Sequence, residues 1–123
     1  MTFRERKNQV REYLGRRVHI GIDRPVGYVH HKAKYDLVYP INYGYIPNVL
    51  GGDGEELDVY LVGPTEPLET FEGQIVGIVH RINDVEDKLI MVSEGTDYTA
   101  ESLYEAVRFQ ERYYDSYVEI LKQ

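Results

Sequence analysis

The fold is limited most strongly by three β-rich runs that follow one another in the middle of the chain, at residues 57–62, 74–82 and 88–92. A Gly-Pro turn at 63–67 ends the first run. The five residues 83–87 between the second and third predict a hairpin connection. Because strands this short must bury their apolar face against one another, the pattern predicts a small closed or partly open β-barrel.

Two helices are predicted, one on each side of the β-rich region. Thr2 is followed three positions later by Glu5, the pattern of a capping box, so a helix should begin there. Its apolar stripe is narrow, which predicts that residues 1–15 form a helical appendage at the surface. Thr99 can cap a second helix with Glu101 in its first turn, and this helix should cover the open end of the barrel.

The remaining pattern completes a single-domain prediction. Residues 17–22 alternate between polar and apolar and predict another strand. Residues 39–49 are rich in aromatics but interrupted by two prolines and a glycine, so they should be extended and irregular. A chain of 123 residues has the length of one domain. We therefore predict one domain over residues 1–123, mainly β with flanking helices (α+β), built on a small five-stranded barrel.

Composition and charge exclude several classes of function. The net charge of −7 argues against binding nucleic acid or anionic lipid, which requires basic surfaces. Residues 1–35 nevertheless carry a net charge of +6 and residues 53–87 a net charge of −9. No apolar run could cross a bilayer or act as a secretory signal, so we expect a cytoplasmic protein with no membrane attachment. The absence of cysteine removes disulfides, thiolate metal sites and cysteine nucleophiles.

The densest group of carboxylates follows the glycine-rich turn at 51–54. Asp53, Glu55, Glu56 and Asp58 lie within six residues of one another, and the glycines let the backbone turn so that their side chains can converge. Mg²⁺ in proteins takes oxygen ligands in a near-octahedral array, including one or two carboxylates. Asp and Gly are also typical of ordinary solvated turns, so this segment alone is compatible with either a metal site or a turn.

A second acidic group occupies the predicted hairpin connection, where Asp84, Glu86 and Asp87 precede Lys88. It is equally typical of a solvated turn when taken alone. Neighbouring connections of one sheet can lie on the same rim, however, and repulsion among so many carboxylates would be costly without a cation. The two acidic segments together therefore predict a site for divalent metal.

The tyrosine-rich segment 39–47 reads Tyr-Pro-Ile-Asn-Tyr-Gly-Tyr-Ile-Pro. Aromatic packing in a β core would explain its tyrosines. Six residues after its end comes Asp-Gly-Glu-Glu-Leu-Asp-Val, and the pair of motifs resembles the core of the family I soluble inorganic pyrophosphatases. The resemblance continues through Gly-Ile-Val at 77–79 to Asp-Lys-Leu at 87–89 and, more loosely, through 109–113. It covers roughly residues 37–92 well and the two ends poorly.

This resemblance implies an OB-like barrel of five strands, hydrolysis of diphosphate to two phosphates, several Mg²⁺ ions with Mn²⁺ as an alternative, and a homo-oligomer. The implied metal ligands are Asp53, Asp58, Asp84 and Asp87. The implied catalytic residues are Tyr43 near the attacking water, Asp58, and Glu55 as the general base. The implied substrate-binding residues are Tyr39, Lys32, Lys88 and Tyr113, and Arg81 is a further candidate.

The chain departs from the family's pattern in four places. The acidic connection is two residues shorter, which leaves the assignment of Asp84 as a metal ligand open. Glu55 stands where the family has Asp, so the predicted base is one methylene longer. The segment between Lys32 and Tyr39 is much shorter than usual, and a hairpin that bears a phosphate-binding arginine is missing. Tyr114 stands where the family commonly has lysine. The residues that could replace the missing arginine are His30, His31, Lys34 and Arg81.

Three functions are compatible with these features. The chain can be an inorganic diphosphatase that uses metal-activated water. The shortened phosphate-binding region leaves room for a larger substrate, which would make it a hydrolase of organic or nucleotide diphosphates. A non-catalytic OB-like module that displays tyrosines to a ligand is the third. The clustered carboxylates and the motif resemblance favour the first, and we expect an enzyme of that kind.

Overall fold

The β-rich runs form the barrel that their spacing predicts. The computed structural model describes residues 2–51 and 54–122. The predicted metal ligand Asp53 therefore lies outside the described residues. In chain order the elements are α1 (Phe3–Arg11), β1 (Arg17–Arg24), β2 (Val29–His31), β3 (Asp36–Val38), β4 (Asn42–Leu50), β5 (Glu56–Val62), β6 (Thr70–Arg81), β7 (Lys88–Val92), α2 (Ala100–Glu111) and β8 (Ser116–Ile120).

Five strands close on one another in the order β1-β4-β5-β7-β6, and pairing of β6 with β1 completes the ring. The pair β5–β7 is parallel and the other pairs of the ring are antiparallel. Strand β6 is long enough to pair with β1 near its start and with β8 near its end, so β8 extends the sheet outside the ring. The predicted mainly β fold with a five-stranded barrel is confirmed.

Strands β5 and β7 are apolar on both faces because each face packs against a different core. Leu57, Val59 and Leu61 belong to the cluster inside the barrel. Tyr60, which points to the opposite face, belongs to a second cluster that also contains Leu103 of α2. Since side chains of a strand alternate between faces, this arrangement explains why both runs read as nearly continuous apolar segments.

Both helices begin where the sequence predicts. The Thr2 hydroxyl accepts a hydrogen bond from the Glu5 amide, and Thr99 caps α2 in a capping box completed by Ser102. Helix α1 is shorter than predicted and more closely attached than an appendage, because Lys7 and Val10 are buried against the barrel. Within the part of the chain that the structure describes, no helix has the length and apolar character needed to cross a membrane.

Two β segments lacked a sequence signal. The region after Pro25 forms the short hairpin β2–β3, and its three-residue strands are too brief to show a period. In β8 the aromatic Tyr117 is exposed and the charged Glu119 is half-buried, which obscures the alternation of polar and apolar residues. Both are held by pairing with another strand rather than by their own propensity.

Residues 42–47 of the tyrosine-rich motif form the start of β4, and several of them hold neighbouring strands and loops in place. Gly44 allows β1 and β4 to approach, because a Cβ atom there would clash with the carbonyl oxygen of Gly21. The Asn42 side chain is buried and ties two loops to the strand by accepting from the Val26 and Leu68 amides. These contacts fix the backbone from which the Tyr43 side chain projects.

Candidate active site

Two cavities meet at Asp58, near the start of β5. The first, which we call the acidic cavity, has a volume of about 310 Å³ and is lined by Asp23, Tyr45, Glu55, Glu56 and Asp58. The second, which we call the mixed cavity, has a volume of about 190 Å³ and is lined by Arg24, His30, Lys32, Tyr43, Asp58, Arg81, Glu86, Lys88, Gln110 and Tyr114. Because Asp58 lines both, a cation in the acidic cavity and an anion in the mixed cavity would lie close together.

Donors from the two neighbouring strands hold the Asp58 carboxylate. Its Oδ2 accepts hydrogen bonds from the Tyr43 hydroxyl on β4 at 2.6 Å and from Lys88 Nζ on β7 at 2.7 Å. The parallel register that pairs Val59 with Leu89 also puts the two preceding residues side by side. Three of the predicted site residues, Tyr43, Asp58 and Lys88, are therefore brought together by the structure.

Tyr43 is a hydrogen-bond donor rather than a base in this arrangement. Burial, followed by the negative charge of Asp58, raises the pKa of the Tyr43 phenol well above its ordinary value. The phenol consequently stays protonated at neutral pH. Its hydrogen bond fixes the orientation of the Asp58 carboxylate, which is the part that it can play in a site built around that residue.

The acidic cavity has the donor types of a hard-cation site. Its charged groups are all carboxylates, and desolvation together with the charges of Asp58 and Glu56 raises the pKa of Asp23. Oxygen donors of this kind fit Mg²⁺ and similar ions. Within residues 2–51 and 54–122, however, no three His, Asp or Glu side chains are gathered closely enough to hold an ion. Asp53, which the sequence analysis predicts as a ligand, is not among the described residues.

Arg81 lines the mixed cavity but is surrounded by carboxylates. Its guanidinium is 1% exposed and donates to both oxygens of Glu111, at 3.0 and 2.7 Å. It also donates to Asp84 at 2.9 Å and to Glu86 at 3.3 Å, and Tyr114 stacks on it at 3.6 Å from the ring centroid. Although burial alone lowers the pKa of Arg81, the hydrogen bonds and charge of Glu111 raise it above its ordinary value. Arg81 thus joins β6, the β6–β7 connection and α2.

The second acidic segment is divided between two faces. Asp87 is 1% exposed and points away from both cavities, where its carboxylate accepts from Lys7 Nζ at 2.6 Å and from Arg6 Nε at 3.0 Å. Glu86 instead lines the mixed cavity and accepts from Lys88 Nζ at 2.8 Å. The structure therefore places Asp87 away from Asp58. It places Glu86, which the sequence analysis did not predict as a site residue, in the same cavity as Asp58.

A signal for Glu86 was present in the sequence. Side chains two positions apart on a strand share a face, so Glu86 and Lys88 should point the same way and Asp87 the opposite way. The alternation at the start of β7 predicts this division once Lys88 is accepted as a site residue. Arg24 is a second missed residue, and its signal is weaker because its direction depends on an irregularity in β1.

The other predicted substrate-binding residues divide between the cavity and its surroundings. Lys32 lines the mixed cavity. Tyr39 is fully buried beneath it and donates to Gln110 Oε1 at 2.8 Å. Burial raises the pKa of the Tyr39 phenol despite the opposing effect of Arg24. Tyr113 lies outside both linings, 43% exposed and stacked on Tyr35. Both tyrosines therefore lie outside the two cavity linings.

Lys7→Met is expected to lower the free energy of unfolding by about 1.5–3 kcal/mol, the range for a hydrogen bond to a charged group. The substitution leaves Asp87 buried with Arg6 as its remaining cationic side-chain partner. Urea denaturation measures the change, and Arg4→Met on the exposed side of α1 is the matched control. Equal stability of the two variants would contradict a role for Lys7 in fixing the β6–β7 connection.

Comparison with known proteins agrees with the fold. The family model described as inorganic pyrophosphatase matches residues 14–120. The match covers most of the chain and includes the whole barrel. The chain therefore belongs to the inorganic pyrophosphatase family.

Individual relatives show how far the similarity extends. Inorganic pyrophosphatase 1 of Pseudomonas syringae is 37% identical over 95 residues, which is 64% of this chain and 54% of that protein. The inorganic pyrophosphatase of Pseudomonas aeruginosa is 35% identical over the same shares. The chain thus spans about half the length of these curated relatives. Among solved structures, the inorganic pyrophosphatase of Ehrlichia chaffeensis has a TM-score of 0.66 at 16% identity, with 87% of each chain covered.

Proposed function

We propose that the protein is a Mg²⁺-dependent inorganic diphosphatase that hydrolyses diphosphate to two phosphates. The observation that carries the proposal is the position of Asp58, whose carboxylate lines both a cavity of carboxylates and a cavity with cations. A metal-bound water and the phosphate that it attacks need such adjacent surroundings. Membership of the inorganic pyrophosphatase family supports the same reaction.

The proposed metal ligands are Asp58, which lines both cavities, and carboxylates of the two acidic segments. Asp58 is the described residue best placed for this task, and Asp53 remains a predicted ligand. Glu86 joins the set because it shares a face with Lys88, and Asp84 stays a candidate although its Oδ2 accepts from Arg81. Asp87 is the weakest candidate, since Lys7 and Arg6 occupy its two oxygens. Mn²⁺ would fit the same oxygen ligands.

The chain's own residues supply binding, orientation and proton transfer. Bound Mg²⁺ would lower the pKa of its water and offset charge on the phosphates. Glu55, whose side chain lines the acidic cavity, is the proposed general base. Tyr43 orients Asp58 by donating to it. Lys88, which lines the mixed cavity, can exchange its hydrogen bond to Asp58 for one to a phosphate oxygen.

Phosphate release from diphosphate, measured with Mg²⁺, with Mn²⁺ and after chelation, tests the proposal. We expect turnover that is lost on chelation and restored by Mg²⁺. The same assay with a panel of nucleoside and other organic diphosphates fixes the substrate class, and we expect the highest kcat/KM for diphosphate. A higher value for an organic diphosphate would overturn the inorganic assignment. Tight Mg²⁺ binding without turnover of any phosphoanhydride would instead show a non-catalytic module.

The same proposal includes a cytoplasmic location and a homo-oligomeric state. Both are supported by the resemblance to the soluble pyrophosphatases, and the small-molecule substrate follows from the family. Analytical ultracentrifugation measures the mass in solution. A mass equal to the 14.4 kDa of the chain at all concentrations would contradict the oligomer.

A further inference from the structure

An irregularity in β1 directs two adjacent residues into the two cavities. Ile22 pairs with Gly44 of the antiparallel strand β4. The residue before Gly44, Tyr43, pairs with Arg24 rather than with Asp23. One extra residue on β1 is the mark of a β-bulge, which redirects side chains and is common beside active sites. As a result Asp23 lines the acidic cavity while Arg24 lines the mixed cavity.

The Arg24 guanidinium is held by aromatic and neutral groups. It donates to the Tyr39 hydroxyl at 2.5 Å and lies 3.3 Å from His30 Nδ1. It also lies 5.5 to 5.7 Å from the ring centroids of Tyr28, Tyr39 and Tyr43. These contacts fix the direction of the side chain without cancelling its charge.

No carboxylate forms an ion pair with Arg24 in the described ranges 2–51 and 54–122, and Asp23 acts on it only electrostatically through space. The other two cations deep in the mixed cavity differ from it. Arg81 pairs with three carboxylates and Lys88 with two. Arg24 therefore retains a positive charge that a bound anion can satisfy.

The wall around Arg24 is positive as a whole. Lys32, on the β2–β3 hairpin, lines the same cavity, where its ammonium faces the Tyr35 ring. Desolvation and the charges of Arg24 and Lys32 lower the pKa of His30, which shows the sign of the local potential. Opposite this wall stand Asp58 and Glu86, both engaged by Lys88.

We propose that Arg24 binds a phosphate group of the substrate in the mixed cavity. Its planar guanidinium can donate two parallel hydrogen bonds to a phosphate, a geometry that lysine does not offer. Arg81, a candidate of the sequence analysis, has its charge satisfied by the protein. This assignment rests on the proposed function for the identity of the substrate.

Variants of Arg24 test the assignment through KM for diphosphate and the affinity for inorganic phosphate in the presence of Mg²⁺, measured by calorimetry. Arg24→Met keeps the aliphatic stem and should weaken phosphate binding by about 10- to 100-fold, with a matching rise in KM. Arg24→Lys keeps the charge and should recover part of that loss. If Arg24 contributed only to packing, the Met variant would keep phosphate affinity at least as well as the Lys variant.

The matched control is Arg17→Met, an exposed arginine of the same strand paired with Glu72. It should leave phosphate affinity and KM unchanged. Thermal unfolding and near-ultraviolet circular dichroism establish that each variant is folded. Wild-type phosphate affinity in folded Arg24→Met, or a Lys variant no better than Met, would overturn the role of Arg24.

Failure of this assignment is distinguishable from failure of the proposed function. Wild-type protein that hydrolyses diphosphate, with Arg24→Met at wild-type KM, refutes the role of Arg24 and leaves the activity standing. Wild-type protein that does not hydrolyse diphosphate, with phosphate binding that depends on Arg24, refutes the activity and supports the anion site.

Discussion

Asp58→Asn is expected to lower kcat/KM for diphosphate by about 10²- to 10⁴-fold, the range for loss of a group that handles the reacting proton or its metal-bound water. Asparagine has nearly the same shape but lacks the charge that the Lys88 ammonium and a bound cation require. The loss should fall mainly on kcat if Asp58 acts on the bound substrate. Steady-state phosphate release measures it.

Asp97→Asn, at an exposed position before α2, is the control for this substitution. It removes the same charge outside both cavity linings and should keep wild-type kcat/KM. Circular dichroism should show that both variants are folded. A folded Asp58→Asn protein with activity within about twofold of the control would remove Asp58 from the mechanism, because that ratio is far below the effect of an essential acid or base.

Glu111→Gln is expected to lower the free energy of unfolding by about 3–5 kcal/mol. Glu111 is fully buried on α2, where it receives two hydrogen bonds from Arg81 and one from the Tyr60 hydroxyl at 2.7 Å. The substitution leaves the buried guanidinium without its closest negative partner. The amide also offers Tyr60 and Arg81 one acceptor oxygen in place of two. Chemical denaturation followed by circular dichroism measures the change.

Glu105→Gln, on the exposed side of the same helix, should change stability by less than about 0.5 kcal/mol. Comparison of the two variants separates the contribution of the buried Arg81–Glu111 ion pair from the general effect of removing a negative charge from α2. Similar stabilities for the two variants would show that the charge of Glu111 contributes little. In that case Arg81 would be held mainly by Asp84, Glu86 and the Tyr114 ring.

Local pattern predicted the barrel, and the motif resemblance predicted several of the residues that line the candidate site. Turn residues and β-rich runs located β5, β6 and β7, and the tyrosine motif located Tyr43. Asp58 and Lys88 were predicted from the motif resemblance, and the parallel register of β5 and β7 puts them side by side. Turns, strands and short motifs depend on residues that are close together in the sequence, so they can be predicted from the sequence alone.

The parts that sequence reasoning missed depend on direction and on distant partners. Asp87 could be separated from Glu86 only by applying strand alternation to the hairpin, and its burial depends on Lys7, 80 positions earlier. Arg24 reaches the mixed cavity because of one unpaired residue in β1, which no local pattern marks. Arg81 looked available for substrate because its main partner, Glu111, lies on a helix 30 positions later.

The contact between Lys7 and Asp87 also sets an order of events during folding. Helix α1 is synthesised before the β6–β7 hairpin, and the buried Lys7 ammonium lacks its Asp87 partner until residue 87 has left the ribosome. We therefore expect docking of α1 to follow formation of the hairpin. Contacts between residues so far apart in sequence form late because closing the intervening loop is entropically costly. The first turns of the chain should therefore stay accessible to proteases and chaperones until synthesis has passed the hairpin, and become protected together with the rim of the site.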